Sequence, residues 1–272
     1  MKSTILSQKD SELLENLIAK NGLFITFEQV VKESASSMSR QEIRNLVSKL
    51  VRNGWLVRIK KGNYYITTLE SRGTFNVSNF VIAQVLFENS YISCESALQH
   101  HGIFDQHLKT IVSVSLKKMS KKEIQGITFE FITTNKNNFY GWNEFELDGC
   151  LVKIATVEKT ILDILNFKRT LSTVDLVLEK LKNYRDSIDI AKFNEFSKKQ
   201  SITVQRILGF LLDKADIDSS YLHNSTKGKT SNSYMTKDSK LFSAKWRLYY
   251  HNHYESKSYG YSRNCSGKNT LD

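Results

Sequence analysis

Proline is absent from this chain of 272 residues, which removes any cis-prolyl turn. Cysteine is scarce. Cys94, Cys150 and Cys265 are widely spaced and odd in number, which argues against a disulfide framework and fits a reducing cytosol. No apolar run approaches the ~20 residues needed to span a bilayer. The opening MKSTILSQKD has no apolar stretch behind Lys2, so a secretory signal is not expected and a cytoplasmic location is. Hydrophobic residues make up 40% and charged residues 25%, enough for a core and incompatible with wholesale disorder. The length suits roughly two domains.

The net charge is +11, and its distribution is informative. Residues 1–72 carry 12 Lys/Arg against 7 Asp/Glu, residues 73–218 carry 18 against 18, and residues 219–272 carry 9 against 3. Both ends are basic and the middle is neutral. Met38 to Gly62 alone holds seven basic residues and one acid, a local patch suited to a polyanion.

Gln8 to Lys20 places Leu13, Leu14, Leu17 and Ile18 at helical spacing, and Asn21-Gly22 ends the helix. Thr26 is placed to cap a second, short helix through Lys32. In the third, Ser39-Arg40-Gln41-Glu42 has the spacing of a capping box. Ile43, Leu46, Val47, Leu50 and Val51 then form one apolar stripe. Gln41, Asn45, Ser48 and Arg52 point away from it, and Arg44 and Lys49 flank it. Amides, a hydroxyl and guanidinium groups on one exposed face are the groups that read base edges and grip phosphates. Asn53-Gly54 stops the helix. Trp55–Ile59 alternates as a strand, Lys60-Lys61-Gly62-Asn63 is a basic turn, and Tyr64–Thr67 is a second strand in which one tyrosine faces the core.

Three helices followed by a hairpin with a basic tip is the order of a winged helix-turn-helix, with the tip on the phosphate backbone beside the groove that takes the third helix. Winged helices also dock proteins, but the basic patch favours double-stranded DNA. The expected DNA-binding residues are Ser39, Arg40, Gln41, Arg44, Asn45, Ser48, Lys49, Arg52, Arg58, Lys60, Lys61 and Asn63.

Leu69–Asn76 has the composition of a polar linker. Beyond it, Phe80–Phe87 and Ser93–His101 have helical spacing, Thr110–Leu116 and Ile127–Ile132 alternate as strands, and Asp148-Gly149 turns a hairpin. Helices are expected near 156–166, 174–184, 189–197 and 203–214. Strands flanked by helices make the fold class α+β: a winged helix over 1–72, then a larger mixed α/β domain over 73–254. Residues 255–272 have the composition of a disordered tail, and Ser225–Ser239 that of a long loop.

The segments LVRNGWLVRIKKGNYYI, YISCESALQHHGI, KIATVEKTILDIL, QRILGFLLDKADI and KWRLYYHN, in that order, resemble the AbiEi family of type IV antitoxins across most of residues 9–254. The resemblance implies a winged-helix domain that binds operator DNA and represses its own operon, in a phage abortive-infection setting. It also implies a larger domain that neutralises a nucleotidyltransferase-like toxin encoded alongside, without a stable toxin complex. A ligand-responsive transcription regulator unconnected to a toxin would use the same N-terminal block.

Enzyme signatures are lacking. There is no phosphate-cradling Gly-Lys-Ser/Thr loop and no G-x-S-x-G. Glu144, Glu146 and Asp148 alternate as a carboxylate row, the arrangement a Mg²⁺-dependent nuclease would need, but without the lysine expected beside it. Cys94, His100, His101 and His107 match no zinc spacing. No catalytic residue, metal or cofactor is expected.

Overall fold

The computed structural model describes residues 6–34 and 38–255. The tail expected over 255–272 lies outside the described residues except for Glu255, and so does Cys265.

The chain opens with α1 (Gln8–Asn21), β1 (Phe24–Thr26), α2 (Phe27–Ser34), α3 (Arg40–Arg52), β2 (Leu56–Lys60) and β3 (Asn63–Ile66). The three strands form an antiparallel sheet in the order β1-β3-β2, the winged-helix arrangement. Local chemistry sets each boundary. The Gly22 N–H closes α1 by donating to the Ile18 carbonyl at 2.9 Å, with φ at +74°. Thr26 Oγ1 accepts from the Gln29 N–H while Gln29 Oε1 accepts from the Thr26 N–H, a reciprocal cap for α2. Leu14, Leu17, Ile25, Val30, Ile43, Val47, Leu50, Leu56 and Ile66 pack into one core beneath the three helices.

The second part is mixed α/β. It runs α4 (Asn79–Leu86), β4 (Ser90–Ile92), α5 (Cys94–His100), β5 (Thr110–Ser115), β6 (Lys122–Ile124), β7 (Ile127–Thr133), β8 (Trp142–Leu147) and β9 (Cys150–Ala155). Then come α6 (Val157–Phe167), α7 (Leu171–Asn183), α8 (Ile190–Ser197), α9 (Ile202–Lys214), α10 (Ser220–Thr226), β10 (Ser233–Tyr234), β11 (Leu241–Ser243) and β12 (Leu248–Tyr250). Six strands form one sheet in the order β6-β7-β5-β4-β9-β8, and β10-β12-β11 form a small second sheet over α9. β4 is antiparallel to β5 and parallel to β9, so it joins the two halves of the large sheet.

One core lies on each side of this sheet. On one, Val81, Ile82 and Leu86 of α4 meet Tyr91, Ile111, Val114, Val152 and Ile154. On the other, α6, α7, α8 and α9 form a helical layer around Ile161, Leu165, Val177, Leu181 and Leu208. Between them lies a fully buried ionic group. Lys159 Nζ donates to Asp163 Oδ1, and Asp163 Oδ2 accepts from Ser93 Oγ at 2.7 Å and Tyr91 Oη at 3.0 Å. Ser93, which precedes α5 as a cap would, gives its hydroxyl to this network instead.

The 69–76 stretch does not behave as a free linker. The Arg72 guanidinium donates to the Asn53 carbonyl at 3.0 Å and lies 4.3 Å above the Trp55 ring. Ile59 and Tyr65, on the inner face of the hairpin, belong to the same core cluster as Val81 and Ile82 of α4. The winged helix is therefore fastened to the second part along one face of its sheet.

Candidate nucleic-acid interface

The candidate site rests on α3. Ser39 Oγ accepts from the Glu42 N–H at 3.3 Å, and Glu42 Oε2 accepts from the Ser39 N–H at 2.7 Å, completing the expected capping box. Those bonds hold the Glu42 carboxyl below its usual range, so this acid stays charged at the helix N-terminus. Ile43, Leu46, Val47 and Leu50 bury one face, and Gln41, Arg44, Asn45 and Ser48 are exposed on the other. The exposed groups are linked. Arg44 Nη1 donates to Gln41 Oε1 at 3.2 Å, Gln41 Nε2 donates to Asn45 Oδ1 at 3.2 Å, and Ser48 Oγ donates to the Arg44 carbonyl at 2.8 Å. The amide and guanidinium planes are thus arranged along the helix before any ligand arrives.

The hairpin stands opposite. Its tip is Lys61-Gly62, where Gly62 takes φ +77° and leaves open space around the turn. Tyr65 is buried and Tyr64 faces the helix, as strand alternation requires. Between α3 and the hairpin is an open cleft of about 710 Å³ whose walls include Arg40, Arg44, Ser48, Arg58, Lys61 and Asn63. Among the described residues, four cations there face one carboxylate, Glu28, which pairs with Arg40. Arg40 also lies 5.5 Å from the Phe27 ring centroid.

Some of the expected residues are directed elsewhere. Lys49 Nζ donates to Asp10 Oδ2 at 2.8 Å, tying α3 to α1. Burial raises the Asp10 pKa, but hydrogen bonds from Lys49 and Ser7 outweigh it, and the carboxyl stays below its usual range. Lys60 does not reach into the cleft. A register shift in β2 between Arg58 and Lys60 turns its ammonium to the Val85 carbonyl at 2.8 Å and the Leu86 carbonyl at 3.2 Å, at the end of α4. Arg52 is exposed at the end of α3 and does not line the cleft.

The structure adds lysines that the neutral average of residues 73–218 concealed. The segment leading into β6 reads KKMSKK over 117–122. Lys118, Lys121 and Lys122 line a second concavity of about 350 Å³ together with Lys60. Lys122 Nζ donates to the Ile59 carbonyl of the hairpin. Its pKa is lowered by burial, then by the charges of Arg58 and Lys60. A window of charge shorter than the domain average was the signal available in the sequence.

The residues weighed for metal or catalytic roles are dispersed. Glu144 and Glu146 lie in β8, but Asp148 sits in the following turn and accepts the Ser78 N–H at 2.7 Å. His101 Nε2 is 2.7 Å from the Ala155 carbonyl, and the His100 ring packs 4.5 Å from Phe145. Cys94 is fully buried, which pushes its thiol pKa up. Among the described residues, no group of three or more His, Cys, Asp or Glu side chains is gathered to hold a metal ion, and no helix is long and apolar enough to cross a membrane.

The same architecture occurs in the RV2827C protein from Mycobacterium tuberculosis. That crystal structure superposes with a TM-score of 0.63 at 12% sequence identity, over 91% of this chain and 92% of that one. At that identity the likeness is one of fold. No protein-family model matches the chain, and no curated protein matches it.

Proposed function

We propose that this protein is a sequence-specific binder of double-stranded DNA that represses its own operon, and that it is the antitoxin of a type IV toxin–antitoxin pair. The cleft between α3 and the hairpin, with Arg44, Arg58 and Lys61 converging on it, is the observation that carries the DNA reading. The exposed face of α3 fits a major groove, and Lys61 at the tip fits the adjoining phosphates. The antitoxin part rests on the AbiEi resemblance of the sequence.

The first test is binding of the full-length protein to the DNA upstream of its own gene, in competition with random duplex. The expected result is operator-selective binding, with log K falling linearly as log salt rises. Arg44→Ala and Asn45→Ala should each cost about 1–3 kcal/mol on the operator and much less on random DNA. Equal losses on both would overturn base reading by α3.

The second test is co-expression with the neighbouring gene. Deleting residues 1–72 would uncover the apolar face of α4 that Ile59 and Tyr65 contact, so full-length Arg44→Ala/Arg58→Ala is the sounder reagent. Rescue of growth by this variant, weakened in DNA binding, is the expected result. A neighbouring product that is harmless by itself would remove the antitoxin reading and leave the DNA-binding one standing.

A further inference from the structure

A third concavity, of about 230 Å³, lies where the small sheet meets α9 and α10. It shares no residue with the α3–hairpin cleft. Arg206, His223, Lys227, Lys245 and Arg247 all contribute to its wall, and among the described residues no carboxylate does. Lys245 is neutralised from outside by Asp213, at 2.7 Å. Among the described residues, Arg206, Lys227 and Arg247 pair with no carboxylate.

The two arginines are held in place. Arg206 projects from α9 with its side chain buried, and its guanidinium donates to the Ser231 and Lys229 carbonyls and to Ser233 Oγ. Arg247 donates to the Thr230 carbonyl and to Asn232 Oδ1. One short stretch of chain, 229–233, thus anchors both guanidinium groups and keeps them from swinging apart. Burial and the charge of Arg247 both lower the Arg206 pKa, the mark of like charges near one another. Gly228 at the rim, with φ +82°, has no atom within 4 Å of where a Cβ would stand, so the rim is open.

Fixed cations that repel one another around a polar hollow favour an anion that bridges them. The volume lies below the roughly 300–1,000 Å³ of sites for drug-sized ligands, so the ligand group is small. We infer that this pocket binds a single tetrahedral phosphate group, either free inorganic phosphate or the phosphate of a nucleotide. The proposal is independent of the DNA reading, since it concerns other residues and another ligand.

The test is calorimetric titration of the full-length protein with inorganic phosphate and, separately, with AMP, at constant ionic strength against a chloride control. Saturable heat with phosphate or AMP and none with chloride is expected. Lys227→Gln should weaken it about ten-fold, the loss of one charge-assisted hydrogen bond. Lys227 is exposed, so its replacement leaves the core intact. Arg247→Gln should weaken it at least as much, with cooperative melting retained as the check on folding. Tighter binding of AMP than of phosphate would assign the nucleotide as the source, and the reverse would assign the free ion. Absence of anion-specific heat in the parent protein, or heat unchanged in Lys227→Gln, would overturn the proposal.

Discussion

Lys60 Nζ donates to the carbonyl oxygen of Val85 at 2.8 Å, so a residue next to the tip of the hairpin is bonded to the end of a helix in the other part of the molecule. Its neighbour Lys61 lines the cleft instead. Two adjacent lysines that look equivalent in the sequence therefore have different work. Lys61→Ala should weaken binding to every DNA sequence alike and reduce the salt slope by about one. Lys60→Ala should leave the salt slope unchanged and lower the melting temperature, because the part-buried carbonyls of Val85 and Leu86 lose a charged donor worth about 1.5–3 kcal/mol. Salt-dependent binding isotherms and thermal melts of both variants separate the two roles.

Among the described residues, Glu28 is the one carboxylate on the cleft wall, and it pairs with Arg40. Both side chains are largely exposed, so the pair adds little to stability. Its effect is to subtract one charge from the surface offered to DNA. Glu28→Gln should therefore tighten binding to random and operator DNA alike, by roughly three-fold at low salt and less as salt rises. Fluorescence anisotropy at two salt concentrations checks this, and weaker binding by the variant would place the DNA elsewhere.

The Lys159–Asp163 pair is fully buried, and burial raises the Asp163 pKa against the opposing pull of Lys159 and its hydrogen-bond partners. Lys159→Met leaves a carboxylate without its counter-charge and should cost about 3–5 kcal/mol. Adding Asp163→Asn to that variant should recover part of the loss, because the uncompensated charge is then gone. Denaturant unfolding of the single and double variants completes the cycle.

Asp213 gives a pH-dependent contribution. Burial raises its pKa, but hydrogen bonds from Lys245, Ser219 and Trp246 outweigh that, so the folded value lies below the ordinary 3.8. A depressed carboxyl stabilises the fold above its unfolded pKa and loses that contribution as pH falls through the folded value. Asp213→Asn should melt below the parent at neutral pH, and the gap should narrow as pH falls below the ordinary 3.8 and through the lower folded value. A gap that stayed constant with pH would mean the carboxylate charge contributes nothing.

Gly209 in α9 faces Trp246, and a Cβ there would stand 2.1 Å from Trp246 Cη2. Gly209→Ala should destabilise the protein by about 1–3 kcal/mol, despite alanine's better helix propensity, because the indole must move. Thermal melting with tryptophan fluorescence as the probe reports both the loss and the displacement.

The winged helix was legible because its signals are local. The capping box at Ser39 and Glu42, the glycines after α1 and α3, and alternation in the hairpin each lie within a few residues of the feature they set. The direction of Lys60 was not legible, since it depends on a register shift in β2 and on a carbonyl 25 positions away. β4 offers no alternation to read, because all three of its residues are buried. The expected loop over Ser225–Ser239 contains β10, which is not legible there because it has two residues and its partner β12 lies fifteen positions on. Arg40, Arg44, Ser48, Arg58, Lys61 and Asn63 line one cleft, whereas Lys118 and Lys122 need the tertiary arrangement to reach the hairpin.

The inner face of the hairpin, with Ile59 and Tyr65, shares its core with Val152 and Ile154 of β9. On a ribosome, the first three helices and the hairpin emerge long before that strand exists. The nascent chain therefore carries an apolar seam that stays unfinished through the synthesis of the six-stranded sheet, with Phe75 and then α4 the first parts of the second half to cover it.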